Sequence, residues 1–157
     1  MLVAAAVLVP AATAAPPRHG VLVPGRSLAS LHLGATPKQV RAAWGSRYGR
    51  CRDCRRPTWY FTYAVYKPRG AAVQFRHGRV EGIFTLWAPR GWRTAKGLYI
   101  GDNVTHLESL YGHLARTDCP GYYALTMPTR GGVTVFYVVN EKIWGFGLFN
   151  FLVPPCR

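Results

Sequence analysis

Acidic side chains are scarce in this chain. Its 157 residues hold 6 Asp and Glu against 20 Lys and Arg, a formal net charge of +14. A two-carboxylate hydrolase needs a paired acid and base. Nothing in the spacing of Asp53, Glu81, Asp102, Glu108, Asp118 and Glu141 marks such a pair. Lysine is short too, at 4 residues against 16 Arg. With so much Ala, Gly and Pro, that ratio reads as GC-rich coding bias as much as guanidinium chemistry. No GxSxG, HExxH or SxxK occurs, which removes the common serine, zinc and Ser-Lys hydrolases. The five histidines are scattered, and no second CxxC accompanies Cys51-Arg-Asp-Cys54, so zinc-ligand spacing is missing. No apolar run reaches the ~18–20 residues of a membrane span; this includes the aromatic end from Ile143 to Leu152. The expectation is a non-enzyme without metal or cofactor.

Met1 to Ala14, MLVAAAVLVPAATA, reads as a signal peptide ending in an A-x-A cleavage pattern. It lacks Lys and Arg ahead of the apolar run, which points to a start further upstream. No cysteine follows the cleavage site, so no lipid anchor is expected there. The expected location is secreted, periplasmic or cell-envelope. Export favours disulfides. Four cysteines allow three pairings, of which Cys51–Cys54 and Cys119–Cys156 are preferred. The second would close a 37-residue loop, worth roughly 3–4 kcal/mol on a chain-entropy basis.

The sequence says one thing twice. Leu31 to Gly45, LHLGATPKQVRAAWG, returns 67 residues later as LYIGDNVTHLESLYG, Leu98 to Gly112. Each copy reads as an extended Leu-x-Leu/Ile, a turn glycine, a helix cap, a short amphipathic helix and a stop glycine. In the first, Thr36 caps, Pro37 takes the first helical position and Gln39 completes a capping box. Val40, Ala43 and Trp44 share a face. In the second, Asn103 caps, and Leu107, Leu110 and Tyr111 form the face. Helices of about two turns do not persist alone in water, so both must lie on a sheet.

Strands are expected at Thr58–Tyr66, with Trp59, Phe61 and Tyr63 on the core face and Tyr60 exposed. Hairpins are expected around His77-Gly78 and Asn140-Glu141, and a further strand at Tyr122–Met127. Gly45–Pro57, Ala88–Lys96 and His113–Gly121 read as loops. The predicted fold class is α+β: two tandem helix-plus-three-strand repeats, with an antiparallel sheet and short helices packed on one face. The predicted layout is a signal peptide (1–14), a flexible leader (15–24), repeat 1 (25–92) and repeat 2 (93–157), fused into one monomeric domain.

Charge is split between the halves. Residues 15–96 carry a net +14 and residues 97–157 a net of 0. Lys38 and Arg41 of the first helix become Thr105 and Glu108 in the second. Such asymmetry points to a polyanionic partner, with a solvated basic face as the plain alternative. The candidate binding residues are Arg47, Arg50, Arg52, Arg55 and Arg56 in the arginine loop, with Tyr60, Trp87 and Trp92 as surface aromatics. Export disfavours nucleic acid and favours an extracellular protein or a polyanionic envelope component.

The repeated L-x-L-G-x-T-x-x-x-V-x-x-x-W/Y-G resembles the β-lactamase-inhibitor proteins and the small outer-membrane-assembly lipoproteins. It rests on Leu31, Leu33, Gly34, Thr36, Val40, Trp44 and Gly45, then Leu98, Ile100, Gly101, Leu107, Tyr111 and Gly112. The resemblance implies a concave sheet that grips a protein, and no inhibitory contact transfers residue by residue. Three readings stand: an exported binding module for a protein or anionic envelope polymer, an inhibitor of a secreted hydrolase, and a CxxC thiol oxidoreductase using Cys51 and Cys54.

Overall fold

The computed structural model describes residues 19–61, 70–87 and 90–157. The signal peptide, the first four leader residues, Tyr63 and the strand end beyond Phe61 lie outside the described residues. In chain order the elements are β1 (Val21–Val23), β2 (Ser27–Leu28), α1 (Pro37–Trp44), β3 (Gly49–Arg50), β4 (Thr58–Phe61), β5 (Gly70–Arg76), β6 (Arg79–Leu86) and β7 (Arg93–Thr94). Then come α2 (Val104–Tyr111), β8 (Ala115–Cys119), β9 (Tyr122–Thr129), β10 (Gly132–Val139) and β11 (Lys142–Phe149).

The α+β helix-plus-three-strand class is overturned. Strand makes up 47% and helix 12% of the structure. One antiparallel eight-stranded sheet, ordered β3-β4-β5-β6-β11-β10-β9-β8, dominates it. A second, three-stranded sheet runs β2-β1-β7. The extra strands come from stretches read as loops. β3 is exposed along its length and β8 nearly so, so neither shows the apolar alternation that marks a half-buried strand. The leader is likewise structured where described: Leu22 of β1 is buried, and β1 pairs with β7 inside the supposed linker.

The repeated stretch is a docking device. Gly34 N–H donates to the Val80 carbonyl at 2.7 Å, and Gly101 N–H to the Ile143 carbonyl at 2.7 Å. Val80 and Ile143 answer by donating to the Ala35 and Asp102 carbonyls, at 2.9 and 2.7 Å. Both glycines hold a positive φ, 81° and 103°, which is why a side chain is disfavoured at this turn. Each short helix is thereby fastened to the first residues of a central strand. Those strands are also bulged at matching places, between Gln74 and Phe75 and between Tyr137 and Val138 of their partners. The halves meet where β6 pairs with β11, centred on Phe84 opposite Gly147.

Both helices take the expected bounds. In α1, Gln39 N–H donates to Thr36 Oγ1 at 3.3 Å and Thr36 N–H to Gln39 Oε1 at 2.8 Å, completing the capping box. Asn103 makes no side-chain cap bond. Instead the Asp102 carboxylate accepts Tyr99 N–H at 2.8 Å and lies 3.0 Å from His106 Nδ1. Trp44 is fully buried, with edge-on rings at Phe61 (5.2 Å) and Trp92 (5.6 Å), and its Nε1–H donates to the Ala29 carbonyl at 2.9 Å.

The face of the large sheet away from the helices is not open. After β11 the chain turns back across it and buries Val153 beside Phe84, Tyr137 and Phe149. Cys156 is bridged to Cys119 of β8. Tyr122 Oη–H donates to the Arg157 carbonyl at 2.7 Å, and the Arg157 guanidinium lies 4.1 Å from the Phe149 ring centre. Phe149 itself rests where Gly82 and Gly147 leave room; a Cβ at either would overlap its ring.

Candidate functional site

Several basic residues of the first half gather along one edge of the large sheet. The turn after α1 brings Tyr48 flat onto Trp59 of β4, with ring centres 3.9 Å apart and planes 9° from parallel. Arg41 reaches from α1 to 5.7 Å from the Trp59 ring centre. Arg50, on β3, sits 5.8 Å from Tyr48 and 5.9 Å from Trp59. Burial pushes the Tyr48 phenol up, but hydrogen bonding and charge from Arg50 and Arg41 outweigh it and hold it below the ordinary tyrosine range. Both guanidiniums lie over the Trp59 ring, so they have a packing role as well as a charge.

Trp59 continues the aromatic row to Phe75 at 4.7 Å. Phe75 N–H donates to the Pro57 carbonyl at 2.9 Å, which ties the arginine loop to the β5–β6 hairpin. Between them lies a groove of about 400 Å³ lined by Arg55, Arg56, Phe75, Arg76 and His77. Arg56 is spoken for, because it ion-pairs with Glu81, which is only 2% exposed. Arg55, Arg76 and His77 are exposed. The Cys51–Cys54 bridge braces the loop, with Cα atoms 5.5 Å apart.

The predicted site residues therefore divide. Arg50, Arg55 and Arg56 belong to this edge, and Arg47 and Arg52 are exposed beside it. Tyr60 is half-buried on the opposite sheet face, with its hydroxyl 3.5 Å from Cys54 Sγ, rather than exposed. Trp92 is a correction: it is fully buried against Trp44 and presents no surface. Trp87 is 51% exposed but stands at the far end of β6. Sequence reasoning missed Tyr48, Phe75 and Arg76. Their signal lies in strand pairing: the antiparallel β4–β5 register places Phe75 next to Trp59's neighbours, and only that pairing brings the hairpin tip to the loop.

The two disulfides match the preferred pairing, and no described cysteine is free. Cys51-Arg-Asp-Cys54 lies in the loop between β3 and β4, with no helix starting there. A helix N-terminus that would acidify its thiols is missing from that position. Among the described residues no group of three or more His, Cys, Asp and Glu could hold a metal, and no helix is long and apolar enough to cross a membrane.

No protein family profile matches the chain, and no match was found among curated proteins. Among solved structures, the fold is similar to that of an extracellular protein containing a SCP domain from Bacillus anthracis str. Ames, with a TM-score of 0.51 and 11% identity. The match takes in 76% of this chain and 44% of that one, so the chain spans less than half the length of the protein it resembles. At that identity the likeness is one of fold.

Proposed function

We propose that the chain is an exported, non-catalytic binding module that holds an anionic polymer of the cell envelope on its basic edge. The observation that carries this reading is the row formed by Arg41 and Arg50 at one end and Arg55, Arg76 and His77 at the other, joined by Tyr48, Trp59 and Phe75. Glu81, beside the groove, is already neutralised by Arg56. The remaining guanidiniums project a positive field that attracts polyanions and is screened by salt. Two disulfides support an oxidising compartment.

Capture of a protein through the sheet face, which the resemblance to inhibitor proteins implies, is disfavoured because the C-terminal tail already covers that face. Thiol chemistry is disfavoured by the placement of the CxxC in a loop. The test is retention of the protein on immobilised poly(glycerol phosphate) at about 0.05 M and about 0.5 M salt. Retention at low salt and release at high salt is expected, and replacing Arg50, Arg55 and Arg76 with Ser should weaken it at least about tenfold. Absence of retention at low salt would sink the proposal.

A further inference from the structure

The far end of β6 carries a second concavity that the basic edge does not involve. It encloses about 410 Å³, with Trp87, Trp144, Ile100 and Ile143 forming the apolar walls and Arg90 and Lys142 supplying charge. Trp144 is the residue at the β11 bulge, where Tyr137 and Val138 pair with Gly145 and Ile143. The Trp87 N–H donates to the Trp144 carbonyl at 2.6 Å, and the two indoles meet edge-on at 6.2 Å. Trp87 adopts a φ of 66°. A bulky residue seldom occupies that region, and such outliers gather at binding and switch sites. The backbone is thus bent in a way that leaves a large indole 51% exposed at the mouth of a pocket.

Charge narrows the ligand. Among the described residues no carboxylate lines the pocket. The neighbouring Glu141 is engaged elsewhere, accepting a hydrogen bond from the Tyr123 hydroxyl at 2.9 Å. Concave, mainly apolar sites with a few convergent polar groups are the usual form of small-ligand sites. The electron-rich indole face attracts weakly positive C–H edges, and the two cations suit a carboxylate or phosphate.

We infer that this corner binds one acidic sugar ring, with its C–H face against the indoles and its anionic group between Arg90 and Lys142. The site shares no residue with the basic groove, so the two stand or fall separately.

The test is calorimetric titration of the full chain, disulfides intact, with a galacturonate trimer, galactose phosphate, a neutral galactose trimer and inorganic phosphate. At least one acidic sugar should bind, and the neutral trimer at least about tenfold more weakly. Trp87→Ala should cost at least about tenfold and Trp87→Phe less. Arg90→Ala with Lys142→Ala should remove the preference for the acidic sugar. The Arg50, Arg55 and Arg76 replacements should leave sugar affinity unchanged. Near-ultraviolet circular dichroism, to which buried Trp44 and Trp92 contribute, checks that Trp87→Ala folds. The inference is overturned if neither acidic sugar binds, if the neutral trimer binds equally well, or if folded Trp87→Ala binds like the parent.

Discussion

The two hairpin tips of the large sheet share a backbone and carry opposite chemistry. In the first half the tip reads Arg76-His77-Gly78-Arg79, and in the second Val139-Asn140-Glu141-Lys142. Residues His77, Gly78, Asn140 and Glu141 all hold positive φ, so both turns have the same handed geometry. Two residues beyond each tip, at the bulge, the first half places Glu81 and the second Trp144. Glu81 takes an arginine from the neighbouring loop. Trp144 takes two aromatics instead, Trp87 at 6.2 Å and Tyr122 at 5.6 Å. A conserved set of backbone bonds thus leaves side chains at the tips free to diverge. One end of the molecule becomes a basic groove, the other an aromatic pocket.

The helices extend the contrast into stability. Trp44 is fully buried with its indole N–H bonded, whereas Tyr111, at the matching position, is half-buried. Trp44→Ala should therefore destabilise by about 3–5 kcal/mol, and Tyr111→Ala by only about 1–2 kcal/mol. Denaturant midpoints at constant slope measure both. Equal losses would mean that the halves depend equally on their helices.

Much of the backbone logic was legible from the chain alone, and the reasons are local. A capping box, a helical face and a stop glycine lie within fifteen consecutive residues, Leu31 to Gly45, so they can be read without knowing the fold. The hairpins around His77-Gly78 and Asn140-Glu141 are similarly local. What could not be read depends on pairing. Gly49–Arg50 and Ala115–Cys119 are edge strands whose side chains face water, so hydrogen bonding to β4 and β9 alone defines them. Trp92 sits among Arg90, Gly91 and Arg93 in sequence and looks like surface; it is buried because β7 joins β1. The candidate site was half legible: the arginine loop is a local charge run, but Tyr48, Phe75 and Arg76 reach it only through tertiary packing.

The disulfides divide the same way. Cys119–Cys156 closes 37 residues and pins the tail over the sheet, whereas Cys51–Cys54 spans 3. Replacing the first pair with Ser should cost about 4 kcal/mol and the second about 1.5 kcal/mol on loop-closure entropy. Thermal unfolding of the two double variants would rank them. A reversed order would show that bracing the arginine loop matters more than holding the tail.

Alkaline titration separates the halves by a smaller effect. Burial, with the hydrogen bond to Glu141, pushes the Tyr123 phenol up to about 12, while Arg50 and Arg41 hold Tyr48 down. Tyr123 keeps its proton when folded, so its contribution is present below pH 10 and lost as pH rises from there through about 12. Tyr48 has the opposite sign: its folded form favours the phenolate, so stability is gained as pH rises through its lowered folded value towards the ordinary value of 10. Tyrosinate absorbance should lose its earliest phase in Tyr48→Phe and a late one in Tyr123→Phe. Loss of the same phase in both variants would erase the distinction.

The central claim is that recognition of an anionic polymer belongs to the basic edge of the first half. It is tested most directly by the salt dependence of poly(glycerol phosphate) binding, measured for the parent, for the Arg50→Ser, Arg55→Ser, Arg76→Ser triple variant, and for an Arg116→Ser, Arg130→Ser variant of the second half. The slope of log affinity against log salt should flatten by roughly 0.7 per lost contact in the triple variant and stay at the parental value in the second-half variant. Equal flattening in both, or a parental slope of zero, would contradict it.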